Sequence, residues 1–344
     1  MRTLPERFPS GWPLAALLIL VTTGLAACGG SGYGSGGGNM PVAGVGPSKL
    51  FAADSMNMAI GSLANPNPAA GMLAPDRMIT DMFGYAGLSS NMGSLALDAA
   101  GDRLYAGTGT SIVEFDGASG LNGYPFFTRR ITITGNTGSL FLDTTNDRLY
   151  VGNDTAGVQV FNAASMANGA PAANRTLTGF GAGFQILGVA VDTAKNILYV
   201  SNTTTGPSYQ VSVFDNAGTV NNADAPNRTI TPTLSSTAEP VGGIALDATN
   251  DILYVAGGAT SSLVMAFTGA SAANDTAGAA TPSRTMTFPT NISKIVLDVP
   301  NDRLYAIGGG TLYILNGVSA ASGTVMPAAL TLSGGNITAV AVKP

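Results

Sequence analysis

From residue 92 onward, apolar and polar positions alternate in short runs, separated by stretches rich in Gly, Asn, Pro and Thr. Alternation with a period of two over runs this short predicts β-strands rather than helices. One frame returns five times: apolar-x-apolar-Asp, a tight turn, then Asp or Asn followed two residues later by Leu-Tyr. It runs from Leu95 to Asp98 and on to Tyr105, and from Leu140 to Asp143 and on to Tyr150. It recurs from Val189 to Asp192 and Tyr199, from Ile244 to Asp247 and Tyr254, and from Ile295 to Asp298 and Tyr305. The five Asp are spaced by 45, 49, 55 and 51 residues.

Each period holds a third apolar run, such as Val158–Phe161, Val211–Phe214 and Leu312–Leu315. A fourth follows around an Arg signature at Arg130–Thr132, Arg175–Leu177, Arg228–Ile230 and Arg284–Met286. Four short strands per unit of about fifty residues is the pattern of a β-propeller blade. The termini complete the count. Residues 49–53, 57–63 and 77–80 supply a second, third and fourth strand with no first, and Ile337–Val342 is a first strand with nothing after it. Joining them closes a ring without open edges. The expected fold is therefore all-β: a six-bladed propeller of four-stranded blades over residues 48–344, closed by pairing the C-terminal strand into the N-terminal blade.

The repeated residues have structural jobs in such a fold. Leu and Tyr at alternating positions face opposite neighbours, and the Asp ending each first strand accepts backbone N–H groups in the turn that follows. The units resemble those of NHL-type six-bladed propellers, in particular bacterial lipoproteins that carry Asp-Arg-Leu-Tyr and Val-Phe-Asp-Asn repeats. That resemblance covers residues 48–344 and implies a fold more than a function, because such propellers include enzymes, scaffolds and receptors.

The amino-terminal segment reads differently. Arg2 and Arg7 precede an apolar run, Leu14–Val21, and Leu25-Ala26-Ala27-Cys28 follows. A basic start, a short apolar stretch and small residues before a cleavage point make a secretory signal. The run is short for a transmembrane helix. The last four residues match the bacterial lipobox, which implies a lipid on Cys28 after removal of residues 1–27. Gly29, rather than Asp, follows the cysteine, and the resemblance then implies the outer membrane, with the domain facing the periplasm or the surface. Residues 28–47 are Gly/Ser-rich and predict a flexible tether spanning roughly 25 Å.

Composition narrows the chemistry. The chain has no His, and its single Cys is Cys28. Ser-His-Asp and Cys-His catalysis are excluded for want of the base. Its formal net charge is −5, with no run of Lys or Arg, so no footprint for nucleic acid exists. A monomer is expected, with the membrane as partner through the lipid, and an envelope protein or a small ligand as the partner of the propeller.

Candidate recognition residues lie in the loops of one propeller face. The connections between blades carry Phe83, Tyr85, Phe180, Phe184, Glu239 and Phe288, and the loops between second and third strands carry Asp54, Asn57, Asn153, Asp154, Asn202 and Thr204. The aromatic residues form either a recognition patch or plugs between blades. No catalytic residue and no cofactor is assigned. A binding or scaffolding module is the leading expectation. Two alternatives stand beside it: a purely structural envelope protein, and a metal-dependent lactonase similar to gluconolactonase-like propellers. The last would require Asp54, Asp154 and Asn202 to converge on a divalent ion, with Ca²⁺ best suited to oxygen ligands.

Overall fold

The computed structural model describes residues 49–343 apart from 66, 68, 82–83, 181–182, 204–208, 223, 235–236, 239–240, 258–260, 274–279 and 333. The expected signal, Cys28 and the tether lie outside the described residues, as do Phe83, Thr204 and Glu239.

Six antiparallel four-stranded blades form a ring, a β-propeller. From the inside outward, the first blade consists of Ile337–Lys343, Lys49–Asp54, Ala59–Leu63 and Arg77–Thr80. The second consists of Met92–Asp98, Arg103–Thr108, Ser111–Asp116 and Arg129–Thr132. Thr137–Asp143, Arg148–Asn153, Gly157–Asn162 and Arg175–Leu177 make the third. Gln185–Asp192, Ile197–Thr203, Tyr209–Asp215 and Arg228–Ile230 make the fourth. The fifth is Ile244–Asp247, Ile252–Ala256, Leu263–Thr268 and Arg284–Thr287. The sixth is Lys294–Asp298, Arg303–Gly308, Thr311–Asn316 and Ala328–Thr331. The closure expected from the termini is present: Leu50 pairs with Val342 and Phe51 with Ala341.

The Leu-Tyr pair holds the ring together because adjacent residues on a strand point to opposite faces. Leu104 packs back against the first blade with Phe51 and Ile60, while Tyr105 packs forward against Leu149 and Val151 of the third. Tyr150, Tyr199, Tyr254 and Tyr305 repeat the forward contact, and all five tyrosines are at most 1% exposed. Leu50 and Phe51 play the two parts in the first blade. Each such side chain, when buried, contributes about 1.5–3 kcal/mol.

The two acidic positions of the frame have separate duties. Asp98, Asp143, Asp192 and Asp247 each accept two backbone N–H groups in the turn, for example from Thr249 and Asn250 to Asp247 at 3.1 and 3.0 Å. Asp102, Asp147, Asn196, Asp251 and Asp302 adopt left-handed φ values of 49–58°, which Asp and Asn tolerate better than most residues. Their side chains also hold the connection between third and fourth strands: Asp102, Asp147, Asp251 and Asp302 accept from Ser119, Ser165, Ser271 and Ser319, each hydroxyl at 2.7 Å. This second duty explains why the turn ends in Asp so regularly.

Outer edges are sealed from blade to blade. The outer strand of every blade pairs in parallel with the third-to-fourth connection of the next, at Ile79–Gly123, Ile131–Gly169, Leu177–Asn222, Pro232–Ala280, Met286–Gly323 and Leu330–Gly71. This clasp consumes edge groups that would otherwise invite strand addition. The Arg signature supports it: Arg175 donates to Ala217 O and Val220 O at 2.8 and 3.0 Å, and Arg284 donates to Val318 O at 2.9 Å. In the second blade the register shows Arg129, not Arg130, at the position of Arg175. Arg129 turns instead to Glu114, 2.8 Å away.

Candidate functional site

The innermost strands enclose a central channel of about 390 Å³, lined by residues from all six blades. It opens into a mouth of about 490 Å³ at the starts of those strands. The register of the blades gives the mouth an order that the separate loops do not show. Seven residues before the turn Asp stand Asn91, Asn136, Gln185 and Asn291, and Asn336 holds the same place in the first blade. The repeat thus sets side-chain amides around the entrance, of which Asn91, Asn136 and Asn336 line the mouth directly.

Just below the amides, four blades carry a β-bulge. The pairing skips Gly93, Gly138, Leu187 and Thr338 between flanking paired residues. Bulges re-aim side chains where a strand meets a site. The Thr338 hydroxyl, placed this way, is buried without a hydrogen-bond partner in the protein, as is Ser94 Oγ beside it in the sequence register.

The next level down is the narrowest in side-chain size. Four residues before the turn Asp, the blades carry Ala339, Ser94, Ser139, Gly188, Gly243 and, in the sixth blade, Lys294. Five small residues face one lysine. Space is short here: a Cβ on Gly188 would lie 2.7 Å from Ile244 N. Lys294 is half-buried, lines both the channel and its mouth, and its Nζ comes 3.5 Å from where a Gly93 side chain would begin. No hydrogen bond or ion pair holds its ammonium among the described residues. Among the described residues it is the only charged one lining either space. Burial alone pulls its pKa down from 10.5 to about 8, because a charge removed from water without a counter-ion is disfavoured.

The candidate polar residues sit around this mouth as supports. Asp54 is buried and accepts from Met56 N at 3.0 Å, Asn57 N at 3.2 Å and Asn336 N at 3.0 Å. Asn57, exposed, donates its amide to Asp54. Asn153 is fully buried, accepts from Thr155 N and Ala156 N, and donates to Gln159. Asn202, equally buried, accepts from Ser212 Oγ at 2.8 Å. Asp154 is exposed and accepts from Asn136 N at 3.3 Å. Asp54 and Asp154 therefore fix the backbone of two mouth asparagines. Asp54 is engaged by its own turn and Asn202 by its own blade. Among the described residues no group of three or more acidic or thiol side chains is placed to hold a metal.

The aromatic candidates divide. Phe180 and Phe288 are each 3% exposed and pack between blades, Phe180 against Phe184 and Phe214, and Phe288 against Tyr313. Phe184 is half-buried in the same cluster. Tyr85 is exposed and stacks on Phe126 at 4.8 Å, with Tyr124 also exposed nearby in the chain. Lys294 and the amide ring were not among the sequence candidates. The signal for both was present: each stands at a fixed distance before the turn Asp.

No family model and no curated protein matches the chain. Among solved structures it is similar to a chain in a crystal structure of a nidogen/laminin complex, with a TM-score of 0.56 and 12% identity. The match covers 86% of this chain and 98% of that one. At that identity the likeness is one of fold.

Proposed function

We propose that this chain is a lipid-anchored binding module of the bacterial cell envelope, presenting the channel mouth of its propeller to a ligand or partner protein. One observation carries the reading: the mouth gathers an ammonium without an ion pair among the described residues and the side-chain amides of Asn91, Asn136 and Asn336 in a space of ligand size. The clasped outer edges leave little backbone for strand addition, so recognition falls to a face. The lipid anchor is supported by the lipobox ending at the only cysteine in the chain. A molecule anchored through two or more acyl chains stays on the membrane. The glycine after the cysteine favours the outer membrane.

Two arms test the proposal in cells. Cys28→Ala should abolish incorporation of labelled palmitate and release the protein from the membrane fraction. Photo-crosslinkers at Asn136, in the mouth, and at Met166, exposed in a third-to-fourth connection, should differ: a discrete adduct from Asn136 and none from Met166. Retained palmitate labelling after the substitution overturns the anchor. Absence of any adduct from Asn136, or an identical one from Met166, overturns the recognition face.

A further inference from the structure

The geometry points to a site for a small organic monocarboxylate in the channel mouth, with Lys294 as its counter-ion and the hydrocarbon part extending into the channel. This rests on the mouth being the recognition face. Among the described residues, Lys294 is the one charged group lining the channel and the mouth, and it makes no ion pair. Asp54 and Asp154 accept from the backbone N–H of Asn336 and Asn136 and do not line either space. A single unpaired ammonium in a confined space calls for a single negative charge.

Hydrogen bonding narrows the class. Asn91 and Asn136 expose their side-chain amides at the mouth. These donors, with the ammonium, match the several lone pairs of a carboxylate. The channel supplies the third element. Below Lys294, Ser94 and Ser139, every lining side chain is apolar, including Leu97, Phe141, Val191, Leu246, Leu297 and Val342. A ligand with a charged head and an apolar tail satisfies both ends, whereas an inorganic anion would satisfy only the mouth.

Isothermal titration of the purified full-length protein with acetate, butyrate and hexanoate tests this, with phosphate, chloride and hexylamine as controls. Affinity should rise about fourfold per methylene while the tail lies in the channel, and hexylamine should not bind. Lys294→Met should weaken hexanoate binding about thirtyfold or more, as loss of a buried charge partner does. Lys294→Arg, which keeps the charge, and Asn136→Ala, at an exposed site, guard against a folding defect: Arg should retain part of the affinity and Ala should lose a few-fold. Binding should also weaken as pH rises through about 8, as the Lys294 ammonium loses its proton. Equal binding of phosphate and hexanoate overturns the organic class, and unchanged binding by Lys294→Met overturns the site. If no carboxylate binds while Asn136 still gives a discrete adduct in cells, this inference falls and the proposed recognition face stands. If both fail, both fall.

Discussion

Replacing Lys294 by Met tests the electrostatic reading of the channel without any ligand. Burial without a counter-ion lowers the pKa of Lys294 from 10.5 to about 8. The folded state therefore disfavours the charged form, and folding at neutral pH carries a penalty of at most about 3 kcal/mol. The sign follows from proton counts. Between pH 8 and 10.5 the unfolded chain holds a proton that the folded chain has given up, so stability rises with pH across that window. The penalty is present in full below pH 8. Between pH 7 and 9.5 the wild type should recover about 2 kcal/mol relative to Lys294→Met. Met suits the comparison, being unbranched and adaptable in shape. The variant should be more stable than the wild type at pH 7 in ligand-free buffer, with the gap narrowing by about 2 kcal/mol by pH 9.5. Urea unfolding followed by circular dichroism reads both quantities, provided the slope m is the same for both proteins. The range must stop short of pH 10, because burial pushes the hydroxyls of Tyr105 and Tyr199 upward. Unfolded tyrosines ionise first, and both proteins then lose stability together. A variant no more stable than the wild type at pH 7, with a difference indifferent to pH, would refute the picture of an uncompensated channel charge.

Two further substitutions probe buried polar groups outside the channel. Tyr199 Oη is buried without a hydrogen-bond partner, so Tyr199→Phe should stabilise the fold by about 1 kcal/mol; a loss of that size in urea would refute it. Burial raises the Glu114 carboxyl from 4.5 to about 7, against the pull of Arg129, so the folded state keeps a proton that the unfolded chain releases above pH 4.5. Wild-type stability should thus fall by up to about 3 kcal/mol between pH 4.5 and 8 through this group, and Glu114→Gln should remove that share of the fall. Parallel pH profiles for the two proteins would sink the assignment.

The architecture was legible because its causes are local and repeated. Alternation fixed the strands, the turn Asp and the Leu-Tyr pair fixed their order, and the unmatched strands at the two ends required closure. The parallel clasps were not legible. They depend on how near one blade's outer strand comes to the next blade's connection, and short sequences such as Asn122-Gly123 or Asn168-Gly169 carry no β-pattern. The one-residue shift at Arg129 escaped for a related reason: two adjacent arginines satisfy the signature equally, and only the pairing of Arg129 with Glu114 decides between them.

The site was harder to read because polarity alone does not separate a residue that serves a turn from one that serves a ligand. Asp54, Asn153 and Asn202 have ligand-like side chains, yet their lone pairs go to neighbouring donors. Phe180 and Phe288 fall in connections but are drawn inward by apolar area. What distinguishes a candidate in a repeat fold is departure from the repeat at a position where the repeat has a reason. At the level of Lys294 the reason is space: Gly188 and Gly243 cannot carry a Cβ without crowding the next blade's backbone. The room left by five small neighbours is therefore what permits one long side chain to enter the lumen. A second ammonium at the same level would stand near the first in a confined space, where like charges repel strongly. One lysine among five small residues is thus the largest unbalanced charge this level accommodates, and balancing it is left to whatever enters the mouth.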